Sequence, residues 1–504
     1  CDLECNIRHV AEKVQKAAFI YTLPIETDAA RSNLYNLMDV LFSEGMLPNY
    51  SFPRNIVHFW IEDLNGKVTE SPERSIDIAL SEYAPGRTLV VNKQTYISGG
   101  IFDYYSKFSA NNNCKAAASW LALDEYNKKV LCCTSPLCGW FGIDQSHDIC
   151  PLCGSTLNLH TMVKPWGFAA REGRNVPETH AEQEMSYASQ PSYSSMPSGE
   201  AMREIGTSGY IRIENRENQK LVIINKGPEN EGFELCEACG AIEPSIGNVS
   251  ERNNRKRPYK LPYMKNDPMK CKHNYSTTYL GYEFNTDMMV LEIKLDDSKL
   301  DLVSSYAIWL IPALTTFAEA LSLAASNELD VEYNDIKSGY RIRRTGTGLC
   351  ADIYLYDSLS SGAGYANRVS DLIDLVFDKM NDIFKDCDCS ASCPRCLQNF
   401  WNQREKDNLD RLLGRDFLSF VRYGTLKTVV DKHDEQEYFR QINYIAHMHG
   451  YDDIITTENG VNFLKTNTEN REIMVYPSMC NVSQVAEHNK ICLSDRMCRF
   501  AMSE

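Results

Sequence analysis

The chain has 504 residues, and its 52 Lys+Arg against 68 Asp+Glu give a formal charge of −16. A composition of 43% hydrophobic and 24% charged residues excludes a disordered or fibrous protein, and the length allows several domains of roughly 100–200 residues. The acidic balance excludes a wholly basic nucleic-acid coat, while a local basic patch stays open.

In chain order, residues 1–125 read as a connector of helices and strands. Its helices fall at Ile7–Tyr21 and from Thr27 to Gly45, its strands at Ser51–Asp63 and Gly86–Ile97. Residues 126–165 are cysteine-rich and read as a zinc ribbon. Residues 166–208 form a linker, poor in large aliphatics from about Arg174 onward. Residues 209–300 are a β-rich module with strands at Tyr210–Ile213, Leu221–Ile224, Thr278–Phe284 and Met288–Lys294. The last two are expected to flank a hairpin turn at Asn285-Thr286-Asp287. Residues 301–425 carry a helix from Val303 to Asn327, strands at Tyr340–Arg344 and Ala351–Tyr356, and a helix from Ala366 to Phe384. Residues 426–504 read as a C-terminal α/β segment. The fold class is therefore α+β and multidomain, with zinc-ribbon and knuckle modules inserted among mixed α/β domains.

The 19 cysteines cluster in tight pairs, no secretory signal opens the chain, and metal binding in a reducing cytoplasm is expected. The longest uncharged apolar run, Tyr306 to Ala318, contains Pro312 and is shorter than the roughly 20 residues of a membrane span, so no membrane partner is expected. Because the chain opens at Cys1 and stops without a tail, it reads as a piece of something longer.

Three constellations carry the metal chemistry. Cys387, Cys389, Cys393 and Cys396 have the spacing C-x-C-x3-C-x2-C, which lets four thiolates close round one Zn²⁺ with no position left for water. Cys138, Cys150 and Cys153 join Cys132 or Cys133 as two ribbon knuckles, with Cys133 placed in the ligand set. Cys236 and Cys239, with Cys271 and His273 much later, form a third set whose least secure member is the lone histidine. The loop before Cys271 is basic with interleaved tyrosines. Arg252, Arg255, Lys256, Arg257, Tyr259 and Lys260 are therefore candidate nucleic-acid contacts, the alternative being a solvated loop. Arg341, Arg343 and Arg344 are further candidates for phosphate. No phosphate-cradling Gly-Lys-Ser/Thr loop, nucleophile elbow or His-Glu-x-x-His pair is present, so no catalytic residue is named. His433, His447, His449, Asp452 and Asp453 offer only a weak nuclease alternative.

Tyr356-Asp357-Ser358, Ser361-Gly362-Ala363-Gly364-Tyr365, the four-cysteine cluster, Leu397-Gln398-Asn399-Phe400-Trp401-Asn402-Gln403 and Leu409-Asp410-Arg411 together resemble one signature. It is similar to the C-terminal zinc-binding domain of MrfA-type superfamily 2 DNA helicases, related forms of which occur in anti-phage systems such as DISARM and Druantia. Upstream, Gly45–Pro53 and Glu82–Arg87 resemble segments joining motor to zinc domain, so the resemblance spans roughly residues 27–415. It implies zinc as cofactor, with ATP and Mg²⁺ only on an attached or partner motor. It implies as partners single-stranded or forked DNA, a helicase motor and other defence subunits. It also implies that Asn399, Gln403, Asp410 and Arg411 lace the metal domain to its neighbouring helix. Asp357, Gly362 and Gly364 match the family's glycine-rich loop, read as a tight turn in preference to a phosphate site. The competing reading is a zinc-stabilised scaffold that docks a partner without touching DNA.

Overall fold

The computed structural model describes residues 56–63, 65–103, 117–135, 138, 140–143, 146–175, 202–245, 256–260, 273–302, 306–345, 348–358, 363–399, 402–403, 405–465, 470–481 and 490–500. The two helices expected before residue 47 and the Gly45–Pro53 segment lie outside them. Helices and several sheets alternate, as the α+β reading requires, in two compact units.

The first unit falls within Cys1–Ser195 and Asn218–Thr286. Its strand Ile56–Glu62 runs parallel to Phe168–Ala170, and Gln94–Ile101 pairs with the latter from the other side. Phe59 and Phe168 close on Tyr83, just past helix α1 (Ile76–Glu82), at ring separations of 5.3 and 5.7 Å. The expected Gly86–Ile97 strand is a hairpin, Thr88–Val91 with Gln94–Ile101, turned by Asn92 and Lys93 at φ +50° and +62°. Two successive residues at positive φ make the turn whose twist matches a two-residue hairpin. Helix α2 (Ala118–Leu121) precedes the ribbon strands Asn127–Cys133 and Leu157–Val163, which pair antiparallel.

The second unit falls within Met196–Glu217, Asp287–Ser358 and Ala363–Glu504. Its centre is α3 (Ile311–Leu329), with Pro312 in the first turn, where a missing N–H costs nothing. The segment Ile308–Leu329 is long and apolar enough to cross a membrane, yet most of it is buried inside this fold. Helices α4 (Tyr365–Asp371), α5 (Ile373–Lys385) and α6 (Arg411–Tyr423) belong to the same unit. Phe317 of α3 meets Phe377 of α5 and Phe417 of α6 at 6.1 and 5.5 Å. The hairpin Ile336–Thr345 with Gly348–Asp357 pairs along Met288–Leu295 and lays Met289, Leu291, Ile353 and Leu355 into the same core. Helices α7 (Lys432–Met448) and α8 (Asp495–Phe500) accompany a four-stranded sheet, Ile455–Glu458, Val461–Lys465, Asn470–Tyr476 and Ile491–Ser494. Val430, Phe439, Ile473, Val475 and Cys498 make its core.

Three further element boundaries differ from expectation. Ser276–Leu295 is one 20-residue strand without a turn at Asn285-Thr286-Asp287. Tyr282, Phe284, Thr286 and Met288 are buried while Glu283, Asn285 and Asp287 are half-exposed, so the polar residues continue the alternation of a strand. The same holds for Ile211–Asn225, whose polar middle joins the two short strands expected there. The helix expected from Ala366 to Phe384 is broken at Leu372 into α4 and α5.

A largely enclosed carboxylate sits on α3 itself. Glu319 accepts hydrogen bonds from Tyr333 Oη and, at 2.8 Å, from Asn402 Nδ2, and burial pushes its carboxyl pKa up. A raised folded-state value means the folded chain holds the extra proton. Stability is then fully present below the ordinary glutamate range and falls as pH rises through the window up to the folded value. Glu319→Gln keeps an acceptor oxygen and removes the charge. Its melting temperature is expected to exceed that of the wild type at pH 8 and to converge with it at pH 5. A lower melting temperature at pH 8 would contradict this.

Candidate zinc centres

The four-cysteine loop begins where α5 stops. Cys387 is buried two residues past Lys385, and Leu397, 2% exposed, anchors the other end of the loop in the unit's core. Between them Cys393-Pro394-Arg395-Cys396 makes a tight turn. The amides of Cys396, Leu397 and Gln398 all donate to the Cys393 carbonyl at 3.0–3.2 Å, and the Cys393 amide donates to Cys396 Sγ at 3.3 Å. The sulfurs stand 3.5 Å apart for Cys387–Cys393, 3.7 Å for Cys389–Cys396 and 3.8 Å for Cys393–Cys396. Zn–S bonds of about 2.3 Å place tetrahedral sulfurs about 3.8 Å apart, whereas a disulfide would need about 2.05 Å. The spacing therefore fits a metal and no disulfide.

Electrostatics point the same way. The Arg395 amide holds the Cys393 thiol down at about 6, while burial pushes Cys396 up to about 12 and Cys389 upward. Four thiolates this close cannot all stay charged on their own, and a bound dication removes that conflict.

The ribbon repeats the arrangement. Cys133 closes the strand Asn127–Cys133, and its sulfur lies 3.4 Å from Cys153, with Cys138 3.6 Å from Cys150. Cys132 points to the opposite face and packs with Val130, Phe141 and Met162, so strand alternation selects Cys133 as the donor. Burial pushes Cys138 above the ordinary thiol range and Cys133 to about 11. At Cys153 burial is outweighed by hydrogen bonds from the Ser155 side chain and amide, leaving about 6. Cys133, Cys138, Cys150 and Cys153, and separately Cys387, Cys389, Cys393 and Cys396, are the metal-competent groups among the described residues, each with its four sulfurs within 4.8 Å. In the third constellation Cys236 and Cys239 are fully buried and His273 is exposed, while Cys271 lies outside the described residues.

The loop is laced to its neighbours by polar contacts. Arg411 donates through Nε to the Cys389 carbonyl at 2.7 Å and through Nη1 to the Phe384 carbonyl at 3.0 Å. Asn399 and Asn402 exchange amide-to-side-chain bonds at 3.1 and 2.8 Å, and Asn402 reaches Glu319 of α3. That role belongs to Asn402, since Gln403 is exposed. Asp410, fully buried, caps α6 by accepting from the Leu412 and Leu413 amides, and it receives Arg496 at 2.6 Å and Arg499 at 3.1 Å from α8. Neither arginine was singled out by sequence, because nothing local ties them to a residue 86 and 89 positions away. Ser361 and Gly362 of the glycine-rich loop lie outside the described residues. Asp357 accepts from the amides of Ala363, Tyr365 and Ala366, the donors a phosphate would need, and Gly364 takes φ +77°.

Most of the described residues expected to contact nucleic acid are buried or paired. Arg341 and Arg343 are buried and bind Asp352 at 2.9 and 3.0 Å, with Arg343 also on Glu292, so their charges are spent across the hairpin. Tyr259 is 1% exposed and packs 4.8 Å from Phe102, which leaves no face for a base. Arg257 is buried, Lys256 pairs with Glu172 at 3.1 Å, and Lys260 is tied to Glu62 and to the Asp63 carbonyl. Arg344 is exposed, and Arg252 and Arg255 lie outside the described residues. His447 pairs with Asp453 at 2.5 Å on the surface.

Residues 317–397 match the family model of the MrfA Zn-binding domain. The chain is 31% identical over 466 residues to Druantia protein DruE of Escherichia coli (strain UMEA 4076-1), an alignment covering 88% of this chain and 25% of DruE. It thus spans about a quarter of the length of that relative. Among solved structures it is similar to the DUF1998 helicase MrfA bound to DNA, at 11% identity and TM-score 0.34 over 78% of this chain and 36% of that one. A second is the DUF1998 helicase MrfA, at 11% identity and TM-score 0.27 over 70% and 34%. The chain binds zinc, on the evidence of its two four-cysteine groups and the family match. Residues 317–397 are thus similar to the MrfA Zn-binding domain, and the chain that carries them is a homologue of part of Druantia protein DruE.

Proposed function

We propose that this chain is the zinc-stabilised accessory region of an ATP-driven superfamily 2 DNA helicase in anti-phage defence or DNA repair, acting in the cytoplasm and guiding a single strand past the motor. The observation that carries it is the closed four-thiolate loop inside a matched MrfA Zn-binding domain, in a chain that aligns with DruE along 88% of its length. Closed sulfur shells hold folds and leave no metal position for hydrolysis, which supports a guiding role over a catalytic one. In this reading residues 126–165 are the ribbon, 209–300 the knuckle module, 301–425 the four-cysteine domain and 426–504 a C-terminal segment. In this reading ATP and Mg²⁺ act only on an attached or partner motor.

Arg252, Arg255 and Arg344 are the basic residues this reading assigns to phosphate. Each phosphate contact on single-stranded DNA contributes about 0.7 to the slope of log affinity against log salt. Reversing all three to glutamate is expected to weaken single-strand binding at 50 mM salt and flatten that slope by about 2. An unchanged slope would favour the scaffold reading. That reading has its own support in Asp371, Asp374, Asp378, Asp382, Asp386 and Asp388, an exposed acidic row along α4, α5 and the zinc loop suited to a basic partner surface.

A further inference from the structure

The second unit holds a cavity of about 150 Å³ where α6, α7 and α8 converge. Leu413 and Asp416 line it from α6, Tyr438 from α7, and Asp495 and Arg499 from α8. Val430, between α6 and α7, and Met479, just past the strand Asn470–Tyr476, close two further sides. A volume of that size takes one benzene-sized group, well below the roughly 300–1,000 Å³ of a drug-sized ligand site. It admits a single small group and no nucleotide.

Charge selects which group. Four carboxylates line the cavity, those of Asp416, Asp431, Asp434 and Asp495, against the three cations Arg415, Lys427 and Arg499. The cations are already engaged. Lys427 meets Asp431 at 3.3 Å, and Arg499 is turned to the fully buried Asp410 at 3.1 Å. Arg415 donates through Nε and Nη2 at 3.1 and 3.0 Å, and both bonds fall on Oδ1 of Asp416. Oδ2 of that carboxylate takes no hydrogen bond among the described residues. Asp495 accepts the Ser478 amide at 2.8 Å on Oδ1, with Arg499 at 4.0 Å from its other oxygen. Asp434, 51% exposed at the rim, has the imidazole of its chain neighbour His433 at 3.6 Å. Burial pushes the Asp416 carboxyl pKa up, Arg415 and Lys427 oppose this, and Asp495 adds to it. Negative charge is in excess, inside a space whose other walls are aliphatic.

From this we infer that the cavity binds the end of an alkylammonium or alkylguanidinium, its cation among Asp416, Asp434 and Asp495 and its methylene stem against Leu413, Val430 and Met479. An ammonium carries three donors and a guanidinium five, enough to engage the open carboxylate oxygens while the stem covers the apolar walls. Such a group comes either from a free small amine or from a lysine or arginine side chain of another protein. The inference stands apart from the DNA-guiding reading, because the cavity involves neither the zinc ligands nor the arginines assigned to phosphate.

Calorimetric titration of the full chain with butylammonium and butylguanidinium tests it, with butyrate and butanol as controls of similar size. At least one of the two cations is expected to bind saturably at one site, and neither control is. Asp416→Asn and Asp434→Asn are each expected to weaken that binding about tenfold, the loss of one charge-assisted contact. If Asp416→Asn does not fold, Asp434→Asn decides the matter, since its side chain stands at the exposed rim. No saturable binding of either cation, an equal response to butyrate or butanol, or an affinity unchanged in the folded variants would overturn the inference. An arginine residue capped at both ends separates the two sources. Binding as tight as that of butylguanidinium marks a protein side chain, and binding of the free cations alone marks a small amine; both outcomes uphold the site.

Discussion

Cys393→Ser is expected to lose one zinc ion and, with it, the cooperative fold of the second unit. The apparent binding energy of a structural zinc site is about 10–16 kcal/mol in isolated fingers, comparable to the roughly 5–15 kcal/mol stability of a whole domain. The loss should spread because the loop is tied into the core at several points. Cys387 follows α5 directly, Leu397 is buried, the Arg411 side chain bonds the Cys389 carbonyl and the Arg411 amide bonds that of Ala391. Hydrogen exchange in α5 and α6 is the appropriate measurement. Loss of protection there, alongside the loss of one zinc, is the expected outcome. A variant short of one zinc with α5 and α6 still protected would show that the metal orders only its own loop.

Asp410→Ala carries the second large effect. Its carboxylate is fully buried, caps α6 and faces two arginines of α8, of which Arg496 keeps only 8% of its side chain exposed. Removing it leaves those cations without their partner, at a cost of about 3–5 kcal/mol for a broken buried pair, plus about 1 kcal/mol for the lost cap. Asp410→Asn keeps the capping oxygen and loses the charge, so it should fall between. Helix α8 should loosen first, and Cys498, 2% exposed within it, reports on this. Its labelling by a thiol reagent is expected to be slow in the wild type and fast in Asp410→Ala. Equal labelling rates would mean that α8 is held by the apolar contacts of the C-terminal sheet and not by Asp410.

The parts of the fold and site legible in the sequence were the local ones. Cys387 to Cys396 lie within ten residues, so their spacing alone specifies one metal. The core face of α5 follows from Val376, Phe377 and Met380 at helical intervals. What depended on distant partners was not legible. Cys132 and Cys133 are adjacent in sequence and are separated only by the pleat of their strand. Arg341 and Arg343 read as free cations until Asp352 is seen across the hairpin, although two arginines two residues apart on a strand do share one face and so can share one carboxylate. Tyr259 reads as a stacking platform until Phe102 covers it. Asn285-Thr286-Asp287 has the composition of a turn, and only the burial of Tyr282, Phe284, Thr286 and Met288 on one face shows that the strand runs through. Asp410 was read as a lacing residue, and its strongest partners come from a helix near the chain's end.

Zinc K-edge X-ray absorption on the purified full chain tests most directly the claim that closed thiolate shells hold this protein together. The account predicts a first shell dominated by sulfur at about 2.3 Å, with at most a minor nitrogen component at about 2.0 Å. A shell dominated by oxygen or nitrogen near 2.0 Å, or a chain that folds without zinc, would contradict it.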